Sequence, residues 1–355
     1  MTAFDVLVVG AGPAGATAAA LTARAGLSTL VLERTQFPRE KVCGDCLNPG
    51  AWKILDRLGV SEVIDRLPSA KLRWVDFLDL AGRSIRFELP DETRGERGIR
   101  RKLFDDVLIK HAISAGAQVR FGNPVLKVQN SSGWKVTTGD ETVQAKFLVA
   151  ADGRNSSVAR LLAEYPKTRT DRVALQTHFL ADAEPHVTLQ LCRYGYLGLA
   201  AVGEGLTNMC LVCRPKHAER FRQEATVHFG LTPEHRWQSI TPLTRSAIQA
   251  EHPNLLYIGD AARVVEPLTG EGILYALQSG MLAADAISGA VTNSSDPALI
   301  YGWQQQKLYR HRLWVNQLAR LAVLHPMISN RFLGLLRLNP APLKYLTSKV
   351  VREGA

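Results

Sequence analysis

The sequence predicts an α/β fold: a Rossmann-like nucleotide-binding unit, an antiparallel sheet inserted into it, and a C-terminal helical segment. Three observations predict this. Residues 4–33, FDVLVVGAGPAGATAAALTARAGLSTLVLE, read as strand, glycine turn, helix and second strand. Residues 171–213 carry successive alternating apolar and polar runs, the pattern of half-buried strands. Residues 300–338 are leucine-rich at helical spacing and carry Trp303 and Trp314.

In the opening unit the apolar run Val6–Val9 enters the turn at Gly10, Gly12 and Gly15, and an alanine-rich segment continues to Arg24. Gly26 breaks that helix, and a second apolar run from Thr29 to Leu32 ends on Glu33. Each glycine has a physical task. Gly10 permits the sharp turn, Gly12 lets the backbone approach a pyrophosphate, and Gly15 lets the helix lie on the strand. The helix N-terminus offers free N–H groups to the phosphates. Glu33, 18 residues after Gly15, is placed to accept bonds from ribose hydroxyls. The motif reads as dinucleotide binding without specifying which dinucleotide.

After Glu33, the stretch with Pro38, Gly44, Pro49 and Gly50 predicts a long loop, and AWKILDRLGV returns to helix. Loops this long inside α/β domains are usually functional. Residues 72–89 alternate, predicting a hairpin that turns at Ala81–Gly82. Leu103, Phe104, Val107, Leu108, His111 and Ala112 fall at helical spacing within 101–116, and Gly116 ends that helix. Strands follow near 117–128, 133–138 and 143–149, the last running into Ala151-Asp152-Gly153. A helix is predicted over 215–228. A strand then runs to Ile258, and a long helix begins at about Gly270, with Ala276, Gly280, Ala283 and Ala284 permitting close packing.

The chain has 355 residues, enough for a large core and two closely connected lobes. The first strand starts at residue 4, which leaves no room for a signal peptide, and no apolar run is long enough to span a bilayer. A cytoplasmic protein is expected. Five cysteines without a secretion signal argue against a disulfide framework. Cys43–Cys46 and Cys210–Cys213 have CxxC spacing, but residues three apart on a strand point to opposite faces, so the second pair cannot easily chelate one ion. His178, His186, His217 and His235 lack ligand spacing, and no metal is expected. Residues 301–355 hold nine Lys or Arg against one acid, Glu353, and so carry +8 of the net +10. Such asymmetry indicates an anionic partner or a solvated basic surface.

Three further segments align with the opening motif: IRRKLFDDVLIKHAISAGAQV (99–119), LVAADGRNSSVARLL (148–162) and LYIGDAARVVEPLTGEGI (256–273). In this order, with GAGPAG and Glu33, they resemble the flavoprotein monooxygenase superfamily of glutathione-reductase-type FAD folds. Within it, PREKVCGD followed by PLTGEGI looks most similar to the geranylgeranyl reductase family. The resemblance covers about residues 1–290. It implies that Gly10, Gly12, Ala14 and Gly15 hold the FAD pyrophosphate and that Glu33, with Arg34 alongside, holds the adenosine ribose. It places Arg101 beside the FAD, and Lys41, Cys43 and Gly44 near the flavin. Asp152 and Gly153 match a motif associated with FAD and NAD(P)H. Gly259 and Asp260 match the group that binds the ribityl and pyrophosphate portion. Pro267, Gly270, Glu271, Gly272 and Ile273 match the loop along the isoalloxazine ring. The expected division is 1–70, 97–165 and 245–295 for FAD, 71–96 and 166–244 for substrate, and 296–355 as a basic helical segment.

Catalytic residues are not fixed by the sequence. The candidates near the flavin are Cys43, Asp45, Cys46 and Tyr196. Cys43 and Cys46 read either as a redox-active dithiol or as small residues in a tight loop, and Asp45 as a polar group facing the substrate side. The family's aromatic substrate-strand pattern is kept here only at Tyr196. Gly198, Ala200 and Ala201 replace its bulky positions, which should widen the pocket for a lipid-like substrate. Two reactions remain open: hydride transfer to a carbon–carbon double bond of a lipid-, isoprenoid- or polyketide-like substrate, or hydroxylation of an aromatic or polyketide ring with NAD(P)H and O2. No second GxGxxG is present, so NAD(P)H is expected to bind transiently, or a ferredoxin to serve as the electron donor. The leucines and tryptophans of the basic tail favour peripheral contact with the inner face of a membrane over nucleic acid. A monomer or dimer is expected.

Overall fold

The computed structural model describes residues 3–345 apart from 90–93, 140, 169–170, 182–183, 233, 294, 311–312, 340 and 343–344. The basic positions Arg312, Lys344, Lys349 and Arg352 of the tail therefore lie outside the described residues. In chain order the first half contains β1 (Ala3–Val9), α1 (Pro13–Arg24), β2 (Thr29–Glu33), β3 (Cys46–Leu47), α2 (Trp52–Leu58), α3 (Ser61–Asp65), β4 (Ser69–Lys71), β5 (Trp74–Leu78), β6 (Ser84–Glu88), β7 (Arg97–Ile99), α4 (Arg101–Ser114), β8 (Gln118–Phe121), β9 (Lys127–Asn130), β10 (Trp134–Thr138), β11 (Glu141–Ala150) and α5 (Ser157–Leu161). The second half adds β12 (Val173–Leu180), β13 (His186–Cys192), β14 (Gly195–Gly203), β15 (Leu206–Cys213), α6 (Ala218–His228), β16 (Gln238–Ile240), β17 (Leu255–Tyr257), α7 (Gly272–Asn293), α8 (Pro297–Arg310), α9 (Leu313–Leu324) and α10 (Pro326–Leu336).

The first sheet has the order β8-β2-β1-β11-β10-β9, with β17 also pairing to β11. β1 runs parallel to β2 on one side and to β11 on the other, and β17 runs parallel to β11. The chain thus leaves β1 in one direction for β2 and returns on the other side as β11. Such a switch point opens a crevice at the carboxyl ends of the strands, where open α/β sheets bind ligands. Four segments end on that edge: the turn after β1, Glu33 after β2, Asp152–Gly153 after β11, and Gly259–Asp260 after β17.

The strands are apolar almost throughout because both faces are covered. On one face, Val6, Val8, Val31 and Phe147 pack with α1, α4 and α7. On the other, Leu7, Leu30, Trp134 and Tyr257 form a second cluster. Complete burial of a side chain such as Phe104 contributes roughly 1.5–3 kcal/mol. α1 and α7 meet backbone to backbone: a Cβ on Gly280 would stand 2.4 Å from the Ala14 carbonyl oxygen. The expected strand over 117–128 is two strands. Gly122 turns the chain at φ +73°, and β8 and β9 then lie on opposite edges of the sheet.

The second sheet has the order β16-β12-β15-β14-β13-β5-β6. Its β5–β6 hairpin turns where the sequence predicts. Its strands from 171–213 pair antiparallel, as the sequence predicts, but β5 joins β13 in parallel, so the sheet as a whole is mixed. A short third sheet has the order β3-β7-β4. Gly98 of β7 lies under β14 so closely that a Cβ there would be 1.8 Å from the Ala201 carbonyl oxygen. α8 is tied to the first sheet by the Tyr301 hydroxyl, which donates to the Tyr257 carbonyl at 2.8 Å. No helix among the described residues is long and apolar enough to cross a membrane.

Candidate functional site

The glycine turn has the geometry its sequence implies. A Cβ on Gly10 would stand 2.5 Å from the Ala151 carbonyl oxygen, and one on Gly15 only 1.9 Å from the Gly10 carbonyl oxygen. Neither position accepts a side chain without moving backbone. Gly12 differs: the nearest atom to its Cβ position is Arg39 Nη2 at 3.7 Å, so its face is open toward the crevice. Pro13 occupies the first helical position, and the N–H groups of Ala14 and Gly15 have no acceptor within the helix. Glu33 is buried and holds the turn itself. One carboxylate oxygen accepts the Ala11 N–H at 2.8 Å and the other accepts from Thr35. Arg34 is exposed and does not line the cavity.

Four cations converge on this turn. Arg39 stands 3.3 Å from Asp105 and makes no hydrogen bond through its buried Nη1. Arg101 is held bidentate by Asp105 at 2.7 and 2.8 Å. Lys41 Nζ lies 3.5 Å from the Cβ position of Gly153, and Arg154 pairs with Asp260 at 3.0 Å. Burial, with Arg101 and Arg39 nearby, lowers the Lys41 ammonium to about 8. Burial alone would raise Asp260, but Arg154 and Lys41 hold it below the usual carboxylate range. Three carboxylates, Glu33, Asp105 and Asp260, thus face four cations. That excess at a helix N-terminus is a setting for a polyanion.

A cavity of about 780 Å3 starts at this cluster and extends well beyond it. It runs from Gly12 and Ala14 past Gly153, Gly259 and Asp260 to the turn Pro267–Gly270 and then Gly272 and Ile273. α7 begins at Gly272, later than the sequence predicts, because Pro267–Thr269 form a separate 3-10 turn and Gly270 is left-handed at φ +67°. The N–H groups of the first turn of α7, Ile273 included, face the cavity wall. Cys43, Gly44, Cys46 and Arg101 also line it, Cys46 within 4.0 Å of the Cβ position of Gly270. Burial pushes the Cys43, Cys46 and Cys210 thiols upward, so none is held as a thiolate.

Beyond the turn the lining becomes apolar. Tyr196, Gly198 and Ala200 of β14 face it together with Val187 and Leu189 of β13. Leu318, Leu321 and Ala322 of α9 and Ile328, Phe332 and Leu336 of α10 close it from the other side. The loop before the turn is braced to that roof. Asn316 of α9 accepts the Glu266 N–H at 3.0 Å, and the Glu266 carboxylate pairs with buried Arg172 at 2.8 Å.

Several sequence-derived candidates stand elsewhere. Asp45 does not face the substrate side. It is buried at φ +58° and accepts from or donates to His178 Nε2 at 2.7 Å behind the cavity wall. Burial raises its carboxyl despite His178. Glu271 is buried with its carboxyl toward the Tyr275 hydroxyl at 3.4 Å, away from the cavity. Asp152 Oδ2 accepts the Ser157 and Val158 N–H groups at the start of α5, so Gly153 lines the cavity and Asp152 does not. Ala201 does not widen the pocket, because the cavity lining ends at Ala200 and Ala201 packs against Gly98 of β7. Cys210 lines the cavity whereas Cys213 is buried in the opposite cluster, as strand alternation requires. Among the described residues, no cluster of three His, Cys, Asp or Glu side chains could hold a metal ion.

Sequence reasoning missed three residues here: Arg39, Arg154 and Glu96. Glu96 lies in DETRGERG, where nothing separates it from a solvated charge run. In the fold it lines the cavity, and burial raises its carboxyl to about 7.

The residues present fit FAD. Open Gly12, the Arg39 Nη1 that makes no hydrogen bond and the surplus of cations suit a pyrophosphate, and a long cavity leads from there to the α7 N-terminus. Fold and site together define an FAD-dependent oxidoreductase. The chain belongs to the family described as FAD binding domain, whose profile matches residues 3–315. A menaquinone reductase of Mycolicibacterium smegmatis is 33% identical over 328 residues, covering 83% of this chain and 79% of the relative. A digeranylgeranylglycerophospholipid reductase of Thermoplasma acidophilum is 29% identical over 349 residues, 88% of this chain and 84% of the relative. The crystal structure of a geranylgeranyl bacteriochlorophyll reductase-like protein from the same archaeon superposes with a TM-score of 0.73 at 25% identity, covering 99% of this chain and 92% of that one.

Proposed function

We propose that the protein uses FAD to reduce a carbon–carbon double bond in a long, hydrophobic, isoprenoid-bearing lipid. The observation that carries this reading is the apolar half of the cavity, floored by Gly198 and Ala200 and roofed by α9 and α10, directly beyond the turn Pro267–Gly270. The relatives' names point the same way, to menaquinone in one case and a digeranylgeranyl phospholipid in the other. Reduced FAD, when bound, supplies the hydride. The protein's part is to bind, orient and keep out water. Gly12, Ala14, Arg39 and Lys41 would grip the pyrophosphate, Glu33 would face the ribose, and Asp260 the ribityl hydroxyls. The N-terminus of α7 would favour negative charge at the ring edge. The first sheet and its helices then form the FAD part, and the second sheet the substrate part, with the boundaries expected from sequence. NAD(P)H or another donor would reduce the flavin in passing.

A water-insoluble substrate has to be collected from a membrane, and the C-terminal helical segment offers a face for it. Trp303 of α8, Phe332 of α10 and Leu338 just after α10 are 70%, 62% and 85% exposed, with Arg331 and Arg337 near the last two in sequence. Aromatic residues settle at interfaces and basic ones meet anionic lipid. Removing residues 301–355 would also remove Tyr301 and Asn316, which brace the core, so point variants are the cleaner probe. Phe332→Ser with Leu338→Ser is expected to lower sedimentation with anionic liposomes several-fold while FAD binding persists. Undiminished sedimentation contradicts the docking face. The reaction itself is tested by supplying prenylated and aromatic substrates in parallel to pre-reduced protein. Reoxidation by the prenylated lipid under strict anaerobiosis is expected, and an absolute need for O2 would favour hydroxylation instead.

A further inference from the structure

Reducing a double bond needs a hydride on one carbon and a proton on the other, and no donor for that proton was evident from sequence. Glu96 occupies the place for one. Its backbone is pinned on both sides: the Leu72 N–H donates to the Glu96 carbonyl at 2.9 Å, and the Trp52 indole N–H donates to the Gly95 carbonyl at 3.1 Å. Arg97, next in β7, leaves the other way to pair with Asp65. The Glu96 carboxyl is therefore fixed against the cavity wall beside Cys46 and the left-handed Gly270. The Cβ position of Gly270 lies 4.0 Å both from Glu96 Oε1 and from Cys46 Cβ.

We propose that Glu96 is the catalytic proton donor: its carboxyl O–H protonates one carbon of the substrate double bond as the other receives hydride from reduced FAD. The placement carries this, since a buried carboxyl stands at the junction between the flavin-facing turn and the apolar half of the cavity. The C=C π bond breaks and two C–H bonds form. Reduced FAD is oxidised by two electrons, the alkene is reduced, and the resulting carboxylate is reprotonated from water. No side chain among the described residues hydrogen-bonds or ion-pairs with Glu96, so its proton is uncommitted. Cys46 is the titratable group facing it from β3, and burial pushes that thiol well above its usual range. Tyr196 and Cys210 are likewise raised by burial. Lys41, the other cavity group that titrates near neutrality, stands by Gly153; Glu96, raised to about 7, is the carboxyl beside the flavin-facing turn that both holds and releases a proton there.

The assignment rests on the reductase reading, and two measurements separate the two. In the flavin-free protein, the infrared C=O stretch of a protonated carboxyl should disappear with a midpoint near 7 in the wild type and be missing in Glu96→Gln. In the FAD-loaded protein, Glu96→Gln should bind FAD normally but lose roughly 10²–10⁴-fold in anaerobic flavin reoxidation by a prenylated lipid. Its remaining rate should no longer fall above neutral pH, and Glu96→Asp should recover part of it. A titrating band unchanged in Glu96→Gln, or reoxidation by that variant within threefold of wild type with the same pH profile, overturns the assignment alone. Failure of the wild type to be reoxidised by any prenylated lipid overturns the reductase reading and the assignment with it.

Discussion

FAD binding should take up protons, and Lys41 should be the residue that takes them. In the flavin-free protein its ammonium sits at about 8 because it is buried among Arg101, Arg39 and Arg154. About half of the molecules therefore lack the Lys41 proton at pH 8, and about a tenth at pH 7. A pyrophosphate on the open face of Gly12 reverses the local charge balance and returns Lys41 toward its ordinary value. Binding is then expected to take up about half a proton at pH 8 and about a tenth at pH 7. Titration calorimetry in two buffers of different ionisation enthalpy reads this directly. Lys41→Met should abolish the uptake and weaken FAD binding by roughly 10- to 100-fold, the loss of one charge-assisted contact. The same substitution should stabilise the flavin-free protein at pH 7. A lysine held below its unfolded value imposes its full cost below the folded value of about 8, and the cost fades as pH rises to 10.5. That cost is at most about 3 kcal/mol, an upper bound because Lys41 lines a cavity that water can enter. No uptake at pH 8, or uptake undiminished in Lys41→Met, refutes the placement of the pyrophosphate.

Gly15→Ala puts a Cβ 1.9 Å from the Gly10 carbonyl oxygen, so it should cost about 3 kcal/mol or more and yield protein without flavin. Thermal melting and the flavin absorbance of the purified variant check this. Gly198→Trp fills the apolar half from β14, where a Cβ meets nothing closer than Leu189 at 3.6 Å. It should raise the KM for a lipid substrate at least tenfold and leave the Kd for FAD unchanged. Glu96 sits at about 7 when folded against 4.5 ordinarily, so the folded protein holds an extra proton between those values. Stability should therefore fall as pH rises from 4.5 to 7, by up to about 3 kcal/mol, and Glu96→Gln should remove that slope in urea titrations.

Much of the fold was legible because its signals are local. The glycine turn, the alternating runs of β12–β15 and the helical spacing of α4 each follow from neighbouring residues. The parallel pairing of β5 with β13 was not legible, since it joins segments more than 100 residues apart and alternation alone does not reveal strand direction. The break between β8 and β9 depends on one left-handed glycine within an otherwise continuous strand pattern. In the site, the backbone positions Gly12, Gly153, Gly259 and Gly270 were readable from motifs. Side-chain directions were less so. Asp45 and Glu271 lie in the right segments yet turn inward to His178 and Tyr275, because one residue's step along a turn decides which side it faces. Glu96 and Arg154 acquire their surroundings only when distant elements pack around them.

The central claim is that bound FAD delivers hydride to a double bond of a hydrophobic lipid in the cavity between Gly270 and Phe332. A single anaerobic turnover tests it most directly: the flavin is reduced stoichiometrically, a prenylated lipid is added, and the product is weighed by mass spectrometry. A product heavier by two hydrogens, formed in step with the return of oxidised flavin and without oxygen, is the predicted result. Flavin that stays reduced until air is admitted, with a product heavier by one oxygen atom, would contradict it.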